Sequence, residues 1–276
     1  MMLRIGQIEY ANCTPLYYLL REQFPCTEYE FVSGVPARLN AMLADGSIDV
    51  CPSSSIEYAI HPERYRILPD LSISSDGAVA SVLLFSRVPV EELHGQTIML
   101  SSESATSVNL LKILMKQLYS CSCRYSVCAN SISDALVSSP AYLLIGDAAL
   151  RASMHESGLM VYDLGEIWRK WTGLPFVFAL WLCRREVADN PCLQELSRHL
   201  IQAKMLGPLH FERIAQTASE LSWISSEQLL SYWRNNISYH LEESYISGLT
   251  VFYEKCFEMK LVTAVPPLNF TSPQGL

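Results

Sequence analysis

Charge is scarce in this chain and does not cluster. Charged residues make up 17% of 276, no run of lysine or arginine occurs, and the formal net charge is −8. Nucleic acid and anionic membrane surfaces call for a basic patch, so neither is an expected partner. No apolar stretch reaches the roughly 18 residues of a membrane-crossing helix. A secretory leader is not recognisable, because a strand-like Leu-Arg-Ile-Gly-Gln-Ile already occupies residues 3–8. The expectation is a cytoplasmic protein.

Several chemical signatures are missing too. No Gly-x-Gly-x-x-Gly follows the first strand and no phosphate-binding loop is present, which leaves nucleotide cofactors unsupported. There is no Gly-x-Ser-x-Gly nucleophile elbow. The six histidines (61, 94, 155, 199, 210 and 240) show no metal-ligand spacing. Nine cysteines are scattered, an odd number that reads as reduced thiols. Only Cys121, Cys123 and Cys128 lie close together, with no second ligand pair at zinc spacing, so they read as small apolar side chains. Neither a metal nor an organic cofactor is expected. No internal repeat is visible.

What is present is apolar substance in a regular alternation. Half the residues are hydrophobic and the mean hydropathy is +0.16, enough for one large domain or two lobes. Strand patterns fall at residues 3–8, 28–32, 48–51 (halted by Pro52), 78–85, 97–100, 124–127, 142–145, 160–162 and 176–182. Helical patterns lie between them at 16–24, 35–44, 107–119, 131–137 and 148–154; beyond residue 191 four follow in succession, at 191–206, 208–220, 226–235 and 240–260. Alternation of this kind predicts mostly parallel sheets covered by helices. Two apolar strands near 80–86 and 177–184 fit crossings between lobes. One lobe would then hold residues 1–85 plus 183–276, and the other 86–182. The expected fold class is α/β, a two-lobed type II periplasmic-binding-protein-like fold that closes on a ligand by a hinge.

Ligands in such sheets sit beyond the carboxyl ends of the strands. Four loops at those ends are rich in polar groups. In Tyr10-Ala11-Asn12-Cys13-Thr14-Pro15, Asn12 can either cap the following helix or meet a ligand. Ser53, Ser54 and Ser55 precede a helix, where one serine would suffice as a cap. Residues 101–107 place Ser104, Thr106 and Ser107 at a helix start, where N–H groups and the helix dipole favour an anion. In Ile145-Gly146-Asp147, glycine permits close approach of a ligand and Asp147 fits a cap. Taken alone, these residues describe a two-lobed binder of a small carboxylate.

The same loops carry a resemblance. Tyr10-x-Asn12-x-x-Pro15-Leu16, Gly46-x-Ile48-Asp49-Val50, Ser81-Val82-x-Leu84 and Ile145-Gly146-Asp147-x-Ala149-Leu150 belong to it. So do two longer stretches, Asp163-Leu164-Gly165-x-x-Trp168 and Thr172-Gly173-Leu174-Pro175-Phe176-Val177-Phe178-Ala179. Together they make the chain similar to chorismate dehydratases of the futalosine route to menaquinone. The resemblance implies loss of water from chorismate to give 3-[(1-carboxyvinyl)oxy]benzoate. It implies Asn12 and Ser81 as catalytic residues and carboxylate anchors among Ser53, Ser54, Ser55, Thr106, Ser107, Gly146 and Asp147; for the base the expectation is the substrate's own enolpyruvyl carboxylate, with Asp147 the side-chain alternative. Many family members place arginine before the Thr-Ser pair, where this chain has Ala105; Arg4, Arg38 and Arg151 are candidates to supply that charge. Two alternatives stay open: 1,4-dihydroxy-6-naphthoate synthase of the same pathway, expected to carry a catalytic histidine where this chain has Gly146-Asp147, and a non-enzymatic carboxylate-binding protein.

Overall fold

The computed structural model describes residues 2–101, 104–128 and 131–271. In chain order its first elements are β1 (Leu3–Ile8), α1 (Thr14–Gln23), β2 (Tyr29–Gly34), α2 (Pro36–Asp45), β3 (Val50–Ser54), α3 (Ser55–Ile60) and β4 (Tyr65–Ser75). Next come β5 (Val82–Ser86), β6 (Thr97–Leu100), α4 (Ala105–Ile113), β7 (Arg124–Val127), α5 (Ile132–Ser138), β8 (Ala141–Ile145), α6 (Gly146–His155), β9 (Met160–Asp163) and α7 (Leu164–Thr172). The chain closes with β10 (Phe176–Arg184), α8 (Pro191–Thr217), α9 (Ser226–Asn235) and α10 (Glu243–Glu258).

The strands form two five-stranded sheets, ordered β2-β1-β3-β10-β4 and β7-β6-β8-β5-β9. The orders are equivalent position for position. In each sheet the fourth strand runs against its neighbours: β10 is antiparallel to β3 and β4, and β5 to β8 and β9. The other contacts are parallel, so each sheet is mostly parallel, as the alternation of patterns required.

The reversed strands are where the expected boundaries shift. Strand β5 was assigned to the first lobe and most of β10 to the second. Sheet membership exchanges them, because β5 pairs with β8 and β9 while β10 inserts between β3 and β4. The chain therefore passes between sheets at residues 76–81 and 173–175. The long motifs of the sequence build these passages. Asp163 accepts N–H bonds from Val79 (3.1 Å), Ala80 (2.7 Å) and Glu166 (3.0 Å), tying the first passage to the start of α7. Gly165 sits so close to it that an added Cβ would lie 2.7 Å from the Gly77 carbonyl oxygen. The buried Trp168 indole donates to the Pro175 carbonyl in the second passage (3.2 Å).

Three further elements differ from expectation. Strand β3 continues through Pro52, because its ladder to β1 is confined to Ile5↔Val50 while β10 pairs along its other side. Strand β4 carried no strand signal, since Pro69 and Asp70 (φ 59°) interrupt its pattern. Helix α8 runs unbroken past Pro208: Leu200 and Ala203 before it, and Phe211 and Ile214 after it, bury one continuous face, and that packing outweighs the hydrogen bond proline gives up. The main core joins the two sheets with the C-terminal helices; a smaller one, with Leu83, Phe85, Tyr142 and Leu144, covers the other face of the second sheet. Alternate residues of β5 and β8 thus enter different cores, as expected for strands buried on both faces. All nine cysteines are free thiols. Among the described residues no helix is long and apolar enough to cross a membrane.

Candidate functional site

A cavity of about 60 Å³ lies between the two sheets. Its apolar wall includes Ile8, Tyr10, Ile73, Ile145 and Phe178. Its polar groups come from helix starts. Asn12 immediately precedes the cap of α1, Pro36 begins α2, Ser54 occupies the cap position of α3, Ser104 and Ser107 lie at the start of α4, and Gly146 begins α6. Five helix N-termini from both sheets therefore converge here. Among the described residues no carboxylate, histidine, lysine or arginine lines the wall, and the Tyr10 phenol is its one ionisable group; Ser102 and Glu103 of the neighbouring loop lie outside those residues. The partial positive charge of these helix ends favours negative charge in the cavity.

Asn12 does not cap α1. The capping position is Cys13, which makes no side-chain cap bond. The Asn12 amide oxygen is buried at the cavity and has no hydrogen-bond partner among the described residues, a costly arrangement that native proteins rarely keep without a use. Its backbone is held instead: the Tyr239 hydroxyl donates to the Asn12 carbonyl (2.6 Å), and the Trp233 indole to that of Ala11 (2.7 Å). Ser81 is buried on the opposite wall. Its hydroxyl accepts from Tyr232 (2.8 Å) and donates to the Val79 carbonyl at a longer 3.3 Å.

The three serines before α3 separate in role. Ser54 reaches the cavity and makes no cap bond. Ser53 turns away and donates to Asn40 (2.8 Å). Ser55 donates to the Val177 carbonyl (2.8 Å) and lies 3.3 Å from the Thr106 hydroxyl. Thr106 also accepts the Ile56 N–H (3.3 Å), so it is a strap between α4 and α3 and does not line the cavity. Ser107 does, paired with the Ser104 hydroxyl at 3.1 Å.

At the start of α6, Gly146 has φ 58°, and its N–H donates to the Ser81 carbonyl (2.7 Å). A Cβ there would stand 2.7–2.9 Å from the Tyr10 ring. Both the backbone angle and the ring exclude a side chain. Asp147 is not the cap of α6, whose cap position is Ile145; its carboxylate reaches across the cleft to accept the Ala11 N–H (2.9 Å). None of the three candidate arginines lines the cavity. Arg4 binds Asp49, Arg151 lies 4.3 Å above the Trp223 ring, and Arg38 is exposed on α2.

The residues that reading the loops missed are Tyr232, Trp233 and Tyr239. All three are buried, and burial raises the two phenols, Tyr232 and Tyr239, well above the ordinary tyrosine value, so they stay protonated donors. The one available signal was three polar-tipped aromatics within eight residues of an otherwise polar C-terminal segment.

Residues 3–258 match the family described as menaquinone biosynthesis. The chain is 33% identical over 265 residues to a chorismate dehydratase of Thermus thermophilus, covering 91% of this chain and 93% of that protein. Among solved structures, protein AF1704 from Archaeoglobus fulgidus superposes with a TM-score of 0.78 at 19% identity, covering 95% of this chain and 98% of that one. The periplasmic aliphatic sulphonate binding protein SsuA from Escherichia coli superposes with a TM-score of 0.67 at 16% identity, covering 100% and 95%. These two likenesses are of fold, and they establish the periplasmic-binding-protein architecture.

Proposed function

The chain belongs to the menaquinone-biosynthesis family, and from that premise we propose that it removes water from chorismate to form 3-[(1-carboxyvinyl)oxy]benzoate. The observation that carries the reading is the convergence of five helix N-termini on a cavity whose described wall has no carboxylate, histidine, lysine or arginine. Such a site suits a small molecule with two carboxylates, and the apolar wall suits its ring. It also accounts for Ala105: partial charges of helix ends stand in for the arginine the resemblance led one to expect.

The reaction asks little more of the protein. The proton at ring carbon 3 leaves, and its electron pair delocalises through the ring double bond toward the ring carboxylate. Those electrons then form the carbon 3–carbon 4 double bond as the carbon 4 hydroxyl departs, and with a proton it becomes water. The ring is then aromatic. No described side chain on the wall is a suitable base, so the enolpyruvyl carboxylate of the substrate takes the proton. The Asn12 amide orients that carboxylate or assists the departing hydroxyl, and Ser81 donates to substrate oxygen. Ser54 and Ser107 anchor the carboxylates, with Ser104 behind Ser107. Ser53, Ser55, Thr106 and Asp147 shape and close the site.

The loop at Gly146-Asp147 carries no histidine, which argues against the naphthoate synthase alternative. The test is incubation with chorismate followed by mass spectrometry. The expected outcome is loss of one water and the appearance of an aromatic product; unchanged chorismate would overturn the proposal.

A further inference from the structure

One helix far along the chain presents donors to both catalytic loops. Trp233 of α9 and Tyr239 just beyond it hold the Ala11 and Asn12 carbonyls, and Asn236 donates to the Ala78 carbonyl (2.9 Å). These are bonds to backbone. Tyr232 differs: its buried hydroxyl has as its partner, among the described residues, a side chain that faces the cavity, Ser81.

A serine hydroxyl has one proton to donate and two lone pairs. Tyr232 engages one lone pair of Ser81 at 2.8 Å, near the optimum for this type of bond. The Ser81 proton is given to the Val79 carbonyl at 3.3 Å, a long and weak bond. Oxygen is therefore held firmly while hydrogen is held loosely. Rotating the proton from Val79 to a ligand would keep the stronger bond intact, and donation from the phenol polarises the serine O–H toward its acceptor.

We propose that Tyr232 is a positioning residue for the dehydration, fixing the Ser81 oxygen so that its proton is directed at the substrate oxygen on which charge develops. This rests on the dehydratase reading above. Because the charge grows as the reaction proceeds, the contribution falls on turnover and not on ground-state binding.

The test compares wild type, Tyr232→Phe, Ser81→Ala and the double variant with chorismate as substrate. The phenylalanine ring keeps the packing and removes the donor. Tyr232→Phe is expected to lower kcat by roughly tenfold, less than the ~100-fold typical of losing a direct donor, with KM changed by less than about threefold. In the Ser81→Ala background the same change should cost almost nothing, since the residue it acts through is gone. Equal losses in both backgrounds, an unaltered kcat, or an effect on KM alone would overturn the proposal. Assays at 10 °C with melting temperatures measured in parallel keep the test open if the variant is less stable. Absence of turnover in wild type would instead sink the dehydratase reading, so the two failures are distinguishable.

Discussion

The two sheets repeat one design, yet equivalent corners of them do different things. The turn after β1 corresponds to the turn after β6, and the turn after β3 to the turn after β8. In the first sheet these corners end in polar groups left unspent: the Asn12 amide oxygen without a partner and Ser54 without a cap bond. In the second they are occupied, Ser104 capping Ser107 and the Gly146 N–H bound to Ser81. The second sheet is also less covered, with strand β7 and the first half of β9 largely exposed. The contrast teaches that the first half presents polar groups with nothing bonded to them among the described residues, while the second presents groups such as Ser81 and Ser107 that the fold already holds in place.

The sharpest way to break that contrast is Asn12→Ala. Activity should fall by roughly 100-fold or more, with no loss of melting temperature, because the lost oxygen bonds to nothing among the described residues. Near-normal turnover in a folded variant would show that the first half carries no special reactivity. Next in size is Gly146→Ala. Left-handed backbone and contact with Tyr10 together should cost about 2–4 kcal/mol of stability, read by thermal or urea unfolding; an undisturbed melting temperature would mean that the second corner is not shape-limited.

A smaller effect separates neighbours on α4. Ser107→Ala should weaken chorismate binding about tenfold, the worth of one hydrogen bond to a charged group. Thr106→Ala should cost about 1 kcal/mol of stability, because it leaves the Ile56 N–H unpaired. Calorimetric titration and melting curves distinguish the two, and identical behaviour would contradict their separate placement.

An effect of similar size concerns the first sheet alone, where buried Asp49 joins Arg4 of β1 to Arg184 of β10. Burial pushes the Asp49 carboxyl up, but the combined bonds from Arg4 and Arg184 outweigh it and hold it below the ordinary value of 3.8. A lowered carboxyl value in the folded state stabilises above the unfolded value and is lost as pH falls through the folded one. Melting temperature should therefore drop as pH is taken from 5 to below about 3.8, and Asp49→Asn should flatten that part of the profile. The guanidinium groups are 34% and 24% exposed, so about 1–2 kcal/mol is expected.

Local periodicity made most elements legible, because residues 3–8 and 36–45 satisfy strand and helix rules with neighbours in sequence. It failed where distant partners decide. Pro52 stays in a strand because β10 pairs along the other side of β3, and Pro208 stays in a helix because one face is buried on both sides of it. The four loops led to the cavity, since loops at the carboxyl ends of strands must meet there. Which serines face it was not legible: Ser53, Ser54 and Ser55 look alike in sequence, and only the direction of each side chain separates the one on the wall from the two turned inward. Tyr232 lay beyond reach for the same reason, being 151 positions from the serine it bonds.

The placement of β10 has a consequence for how the protein is made. It lies between β3 and β4, yet about a hundred residues separate it from either. As the chain leaves the ribosome, β1 to β4 emerge first with a gap between β3 and the outer strand β4, and the whole second sheet is synthesised before residues 176–184 arrive to fill it. Until then the facing edges of β3 and β4 have no inner neighbour, a condition that invites pairing with other chains. Fragments ending before residue 176 should therefore aggregate, and the nascent protein has reason to be attended by chaperones until its tenth strand is in place.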